Sequence, residues 1–134
     1  MNALRYIPFF AFLLAIYNVL AFAGQQRSAL TLVLFSADLM SGATFMLSVE
    51  NLLIILGIFG LYFEIFKSTK GSTASIADHV LSMLVFVAFL IEFITVKAVG
   101  NASFLILMLM SMTDVIAGFT VSLSSARRDI MVER

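Results

Sequence analysis

The chain has 134 residues and no net charge; 62% of its residues are hydrophobic, only 12% are charged, and its mean hydropathy is +1.10. A soluble domain of this length buries too little surface to hide so much apolar side chain, so lipid must solvate part of it. The balanced charge, with no basic block, excludes a nucleic-acid footprint. The lack of cysteine and the single histidine, His79, exclude disulfides, thiolate sites and a multi-histidine metal or haem centre within one chain.

The first apolar run begins after Arg5 and ends in Ala21-Phe22-Ala23. A basic residue, an apolar core and small residues are also the parts of a secretory signal. Tyr6–Ala23 is longer than the ~7–15-residue core of a signal and is near spanning length. It is therefore read as an uncleaved anchor helix over 5–23.

Residues 29–49 are apolar but interrupted by Asp38, Ser41 and Gly42. A fifth spanning helix here would put the two termini on opposite sides and weaken the charge asymmetry described below. A β-hairpin over about 30–49 fits better. With Ser41-Gly42-Ala43 as a three-residue loop, Leu39 faces Phe45, Ala37 faces Leu47 and Phe35 faces Val49. Met40 faces Thr44, Asp38 faces Met46 and Ser36 faces Ser48 on the other side. One face is then apolar and the other mostly polar, as a half-buried hairpin requires, and Gly42 supplies the left-handed residue of such a loop. An interfacial amphipathic helix is the alternative. The hairpin is expected to lie over the outer end of the bundle, because unpaired strand edges cannot face lipid.

Three further apolar segments follow, at 50–67, 79–98 and 102–123. Each approaches the ~20 residues that a spanning helix needs. The connection at Gly100-Asn101 is short enough to make the last two an antiparallel hairpin of helices. The expected fold is an all-α transmembrane four-helix bundle, one integral membrane domain over 1–134, with a short extracytoplasmic β-hairpin between helices 1 and 2. Four spans place Arg5, Lys67, Lys70, Arg127, Arg128 and Arg134 on one side, and only Arg27 and Lys97 on the other. The positive-inside rule makes the first side cytoplasmic, with both termini inside.

Two carboxylates fall inside the apolar segments, Glu92 and Asp114. A charge at membrane depth costs at least ~2.5–3.5 kcal/mol on insertion scales, so it is paired, neutralised or turned toward protein. Ser111, Asp114, Gly118 and Ser122 recur at helical spacing as a small, polar stripe suited to close helix contact. The stripe reads either as an interhelical hydrogen-bond node or as an ion- or proton-carrying site. Glu92 shares a face with Ala88 and Thr95, and its depth differs from that of Asp114 by roughly 12 Å, which argues against a catalytic dyad. Asn18, Lys97 or a partner subunit are its candidate partners.

At the cytoplasmic rim, Glu64 and Lys67 are one turn apart and read as a surface pair worth a few tenths of a kcal/mol. Asp78 and His79 open the third helix, where an acid favours the helix N-terminus. Together with Glu64 they form a candidate rim cluster. Arg127 and Arg128 follow the last helix and read as an anchor on anionic headgroups or as a docking point for a cytoplasmic partner.

Several segments together resemble an uncharacterised family of small four-helix inner-membrane proteins from alphaproteobacteria. They are Ser41-Gly42-Ala43, Glu64-Ile65-Phe66-Lys67, Asp78-His79-Val80-Leu81-Ser82-Met83, Asp114-Val115-Ile116-Ala117-Gly118-Phe119-Thr120 and Ala126-Arg127-Arg128-Asp129. The resemblance covers most of the chain after residue 30 and implies a bacterial inner (cytoplasmic) membrane, but no activity. Small multidrug exporters share the size and helix count, but they carry an essential glutamate in the first helix, and none stands there in this chain. No phosphate-binding glycine loop, serine elbow or histidine zinc motif is present. The expectation is a non-enzymatic accessory or assembly subunit without cofactor or metal, held in the lipid bilayer and bound to another membrane protein or to copies of itself. The alternative is a small proton- or ion-coupled transporter or channel subunit using Asp114 and Glu92.

Overall fold

The computed structural model describes residues 6–70 and 74–132. Arg5, Arg134 and the 71–73 part of the expected loop therefore lie outside the described residues. Helix α1 (Phe9–Ala23) is followed by a 3₁₀ turn (Gln25–Arg27), the single-turn α2 (Ser28–Thr31), strands β1 (Val33–Asp38) and β2 (Thr44–Ser48), and α3 (Val49–Ser68). Helix α4 (Ala74–Thr95), a 3₁₀ turn (Lys97–Val99) and α5 (Ala102–Val132) complete the chain.

Three of these helices, α3, α4 and α5, are long and apolar enough to cross a membrane. Helix α1 is equally apolar but has only 15 residues, about 22 Å at 1.5 Å per residue. Three helices differ from the sequence expectation. Helix α1 begins at Phe9 rather than at residue 5, because Pro8 holds an extended backbone just before it. Helix α4 begins at Ala74 and ends at Thr95 rather than running from 79 to 98, so Asp78 sits in its second turn and does not cap it. Helix α5 does not stop at residue 123 but continues to Val132, so the expected tail with Arg127 and Arg128 is helical.

Helix ends are fixed by side chains. Ser48 caps α3, its hydroxyl accepting from the Asn51 amide at 3.4 Å, with Glu50 in the first turn. Asn101 caps α5, its Oδ1 accepting from the Phe104 amide at 3.0 Å. These contacts satisfy amides that a helix start leaves open. The start of α1 is capped from across the bundle: the Phe9 amide donates to Glu64 Oε1 at 3.0 Å. A carboxylate there also suits the positive end of the helix dipole.

The expected hairpin is present, in a register displaced by two residues. Asp38 pairs with Thr44, Ala37 with Phe45, Ser36 with Met46 and Phe35 with Leu47, with a bulge between Val33 and Phe35. The loop residues are Met40-Ser41-Gly42, closed by Leu39 N–H to Ala43 O and Gly42 N–H to Leu39 O, both 2.9 Å. Gly42 has φ +86°. A three-residue loop of this kind needs its left-handed residue in third place, which moves the loop back by one residue and each partner by two. The two faces keep the side chains assigned to them. Both strands are nevertheless mostly exposed, so the apolar face does not lie buried on the bundle. Its Phe35 and Phe45 rings pack on each other, 6.5 Å between centroids.

The core lies toward the hairpin end of the bundle. Phe104 is fully buried and holds the rings of Tyr17 at 5.1 Å, Phe89 at 5.2 Å and Phe93 at 6.4 Å. Phe10, Leu13 and Leu107 extend the core along α1 and α5. Helix α3 approaches α1 closely at Gly60, where any Cβ would run into the Phe9 ring.

Candidate functional site

The α4–α5 contact carries the polar stripe found in the sequence. On α5, Ser111 and Asp114 are buried, 1% and 6% exposed, and Ser82 of α4 is buried beside them. Ser82 of α4 lies close to the Asp114 carboxylate, and Glu64 and Lys67 of α3 stand in its neighbourhood. One turn further, the His79 ring lies against Gly118, where a Cβ would come within 2.5 Å of its Cε1. His79 Nε2 and Ser122 Oγ share a hydrogen bond at 2.6 Å. The small residue at 118 is thus what makes room for the imidazole between the helices.

The rim completes this cluster. Lys67 Nζ is 3.9 Å from Glu64 and 3.5 Å from Asp78. Glu64 does more than the surface pairing expected of it, because its other oxygen caps α1. Asp114 Oδ2 and Asp78 Oδ1 are buried without a hydrogen-bond partner among the described residues. The fold therefore sets Lys67, Glu64, Asp78 and His79 at one rim of α3, α4 and α5, with Gly118, Asp114 and Ser111 progressively further inward along α5. Among the described residues no three acidic or histidine side chains converge as a metal site.

Glu92 and the arginines stand apart from this cluster. Glu92 lies toward the hairpin end, where Oε1 accepts from Asn18 Nδ2 at 3.1 Å across α1 and α4. Arg127 and Arg128 are exposed on the far extension of α5.

A second polar network escaped the sequence reading. At the hairpin end, Arg27 Nη2 is 2.7 Å from Glu50 Oε2, which also accepts from the Ser103 hydroxyl at 2.9 Å. The Tyr17 hydroxyl donates to Asn101 Oδ1 at 2.8 Å and lies 2.8 Å from Ser103 Oγ, with which it can exchange partners. Arg27 holds a left-handed backbone, φ +64°, in the short connection that leads toward the hairpin. The available signal was the placement of Arg27 and Glu50 at segment ends on the same side of the expected bundle; nothing in the linear sequence pointed to Tyr17 or Ser103.

The two polar clusters are separated by the apolar core of Phe10, Leu13, Phe89, Phe104 and Leu107, all essentially inaccessible. The polar side chains thus enter the bundle from both ends without meeting. The chain matches no protein-family model, no curated protein and no solved structure.

Proposed function

We propose that this protein is a small, non-enzymatic integral membrane subunit that acts by binding another membrane protein or copies of itself. In this reading α1 joins α3, α4 and α5 as a fourth span, with both termini cytoplasmic in a bacterial inner membrane. The distribution of lysine and arginine supports that orientation. The shortness of α1 is met by local thinning of the bilayer, at fractions of a kcal/mol per Å of mismatch.

The observation that carries the reading is the hairpin. Its apolar face exposes Phe35, Leu39 and Phe45 at the bundle end. Exposed apolar patches of this kind mark contact surfaces, and a two-stranded hairpin is marginal in water without a packing partner. The apolar plug between the polar clusters also favours a binding role over conduction by a single chain. The test is purification in mild detergent from native membranes, with mass spectrometry of what accompanies the protein. A stoichiometric partner lost on Phe35→Ser with Phe45→Ser supports the reading, and unchanged association refutes the hairpin as the contact.

The second reading, a proton- or ion-coupled carrier, is favoured by the separate polar groups that lie between one rim and Asp114: Asp78 beside Lys67, the His79–Ser122 pair, and Ser82 near Asp114. It predicts pH-dependent flux in proteoliposomes that Asp114→Asn abolishes while the protein stays folded. A packing role predicts that Asp114→Asn is silent and that Asp114→Leu lowers folded yield.

A further inference from the structure

Helices α1 and α4 meet along a groove of about 350 Å³, within the size range of small-ligand clefts. Ala11, Ala15 and Asn18 line it from α1, and Leu81, Val85 and Ala88 from α4. Both sets are spaced by 4 and 3 residues, so each is a single helix face. The two helices run in the same direction, each starting at the rim and ending toward the hairpin. The groove thus follows the pair for about 10 Å, from Ala11 and Leu81 to Asn18 and Ala88. Its wall is apolar except at the Asn18 end. Ala15 and Leu84 of that wall are exposed, so the groove opens sideways, which in the membrane-spanning reading is toward lipid.

The polar end is short of donors. Asn18 Nδ2 donates to Glu92 Oε1, but Asn18 Oδ1 and Glu92 Oε2 are buried with no hydrogen-bond partner among the described residues. Both atoms are acceptors. Glu92 has no ion-pair partner among the described residues either, where the ion pairs join Arg27 to Glu50 and Lys67 to Glu64 and Asp78. Lys97, five residues further along the chain, is exposed. Glu92 stands three residues, roughly 4–5 Å, inside the hairpin end of α4. In a spanning helix that is the level where headgroups give way to hydrocarbon. A sheltered carboxylate with one neutral hydrogen bond calls for a cation that also donates.

We propose that the groove is a lipid site, holding one acyl chain of a phospholipid whose headgroup carries a primary ammonium. The chain lies along the face of Ala11, Ala15 and Ala88, whose small side chains make the room for it. The ammonium donates to Glu92 Oε2 and Asn18 Oδ1, the Asn18 side chain turning to admit it. Charge complementarity selects this head. A primary ammonium supplies both the positive charge and the N–H donors that the Asn18–Glu92 pair lacks. A quaternary head has the charge without a donor, and a glycerol head has donors without the positive charge. The inference rests on the membrane-spanning reading, not on the hairpin contact.

The test is native mass spectrometry of the full chain, purified in mild detergent after alkaline extraction of native membranes has shown it to be inserted. Dioleoyl phosphatidylethanolamine, phosphatidylcholine and phosphatidylglycerol are added separately at equal concentration. The expected result is one phosphatidylethanolamine per chain, bound about tenfold more tightly than either of the others, as the loss of one charge-assisted hydrogen bond implies. Glu92→Gln should abolish that preference. Ala15→Leu should lower binding of all three lipids, and Val19→Leu, outside the groove, should change nothing. Equal binding of the three lipids to the unaltered protein overturns the proposal, whether or not the variants fold. So does a preference that survives Glu92→Gln, or binding that Ala15→Leu leaves unchanged. A retained amphiphile of another mass that phosphatidylethanolamine does not displace overturns it in favour of a different occupant. Release of the protein at alkaline pH overturns the membrane reading beneath it.

Discussion

Loss of the Glu50 carboxylate should loosen the hairpin end of the bundle by an amount the structure lets one bound. Glu50 Oε2 holds two donors, Arg27 at 2.7 Å and Ser103 at 2.9 Å, and the Arg27 and Glu50 side chains are 29% and 24% exposed. A hydrogen bond to a charged group contributes about 1.5–3 kcal/mol when sheltered. Water reaches a quarter of both side chains here, which lowers the ion pair toward the ~0–1 kcal/mol of surface pairs. The Ser103 bond adds about 1 kcal/mol, and Tyr17 partly compensates by its shared bond with Ser103. Glu50→Ala should therefore cost about 2 kcal/mol, and Glu50→Gln about 1 kcal/mol. The assay is equilibrium unfolding in mixed micelles as a double-mutant cycle with Arg27→Gln. The cycle should return a coupling of about 1 kcal/mol, within the range found for polar pairs in membrane proteins. A coupling below about 0.3 kcal/mol, with both single variants silent, would refute the claim that this network ties α1, α3 and α5 together.

Three other outcomes are expected. Gly60→Val should drive a side chain into the Phe9 ring and cost about 1–3 kcal/mol; Phe9→Ala should recover part of that loss in thermal unfolding in detergent. Asn101→Ala removes the α5 cap and an acceptor for Tyr17, lowering stability by about 1–2 kcal/mol in the same assay. Gly42→Ala meets no neighbouring atom but must hold φ +86°, so its cost of about 1–2 kcal/mol is purely conformational; Gly42→Asn should cost distinctly less, read as amide-exchange protection across β1 and β2.

The sequence already contained the apolar segments, the hairpin and the Asp114 stripe, because each rests on a short-range period. Alternation over 33–48 specified both hairpin faces, and Gly42 marked the loop. The register slipped because a glycine alone does not say which loop position it fills. The ends of α4 and α5 were misplaced for a related reason. Asp78 and the Arg127-Arg128-Asp129 run look like segment boundaries by charge, yet a helix continues through charged residues as long as its backbone bonds are made. The network of Tyr17, Arg27, Glu50, Asn101 and Ser103 was invisible because residues as far as 86 positions apart meet in it only after the helices pack. The placement of His79 against Gly118 was likewise a matter of helix pairing, though both residues had been singled out separately.

The contact between the Phe9 amide and Glu64 has a consequence for the order in which the molecule is made. The two residues are 55 positions apart. In the four-span reading proposed above, α1 reaches the bilayer before its capping acid has been synthesised. Until then the opening amide of α1 has only water or headgroups to bind, and the short helix has no α3 to pack against. On that reading α1 enters the membrane as an unfinished element, and the later arrival of α3 seats it. A chain cut before residue 64 should leave its first helix readily extracted, whereas one cut after α3 should hold it.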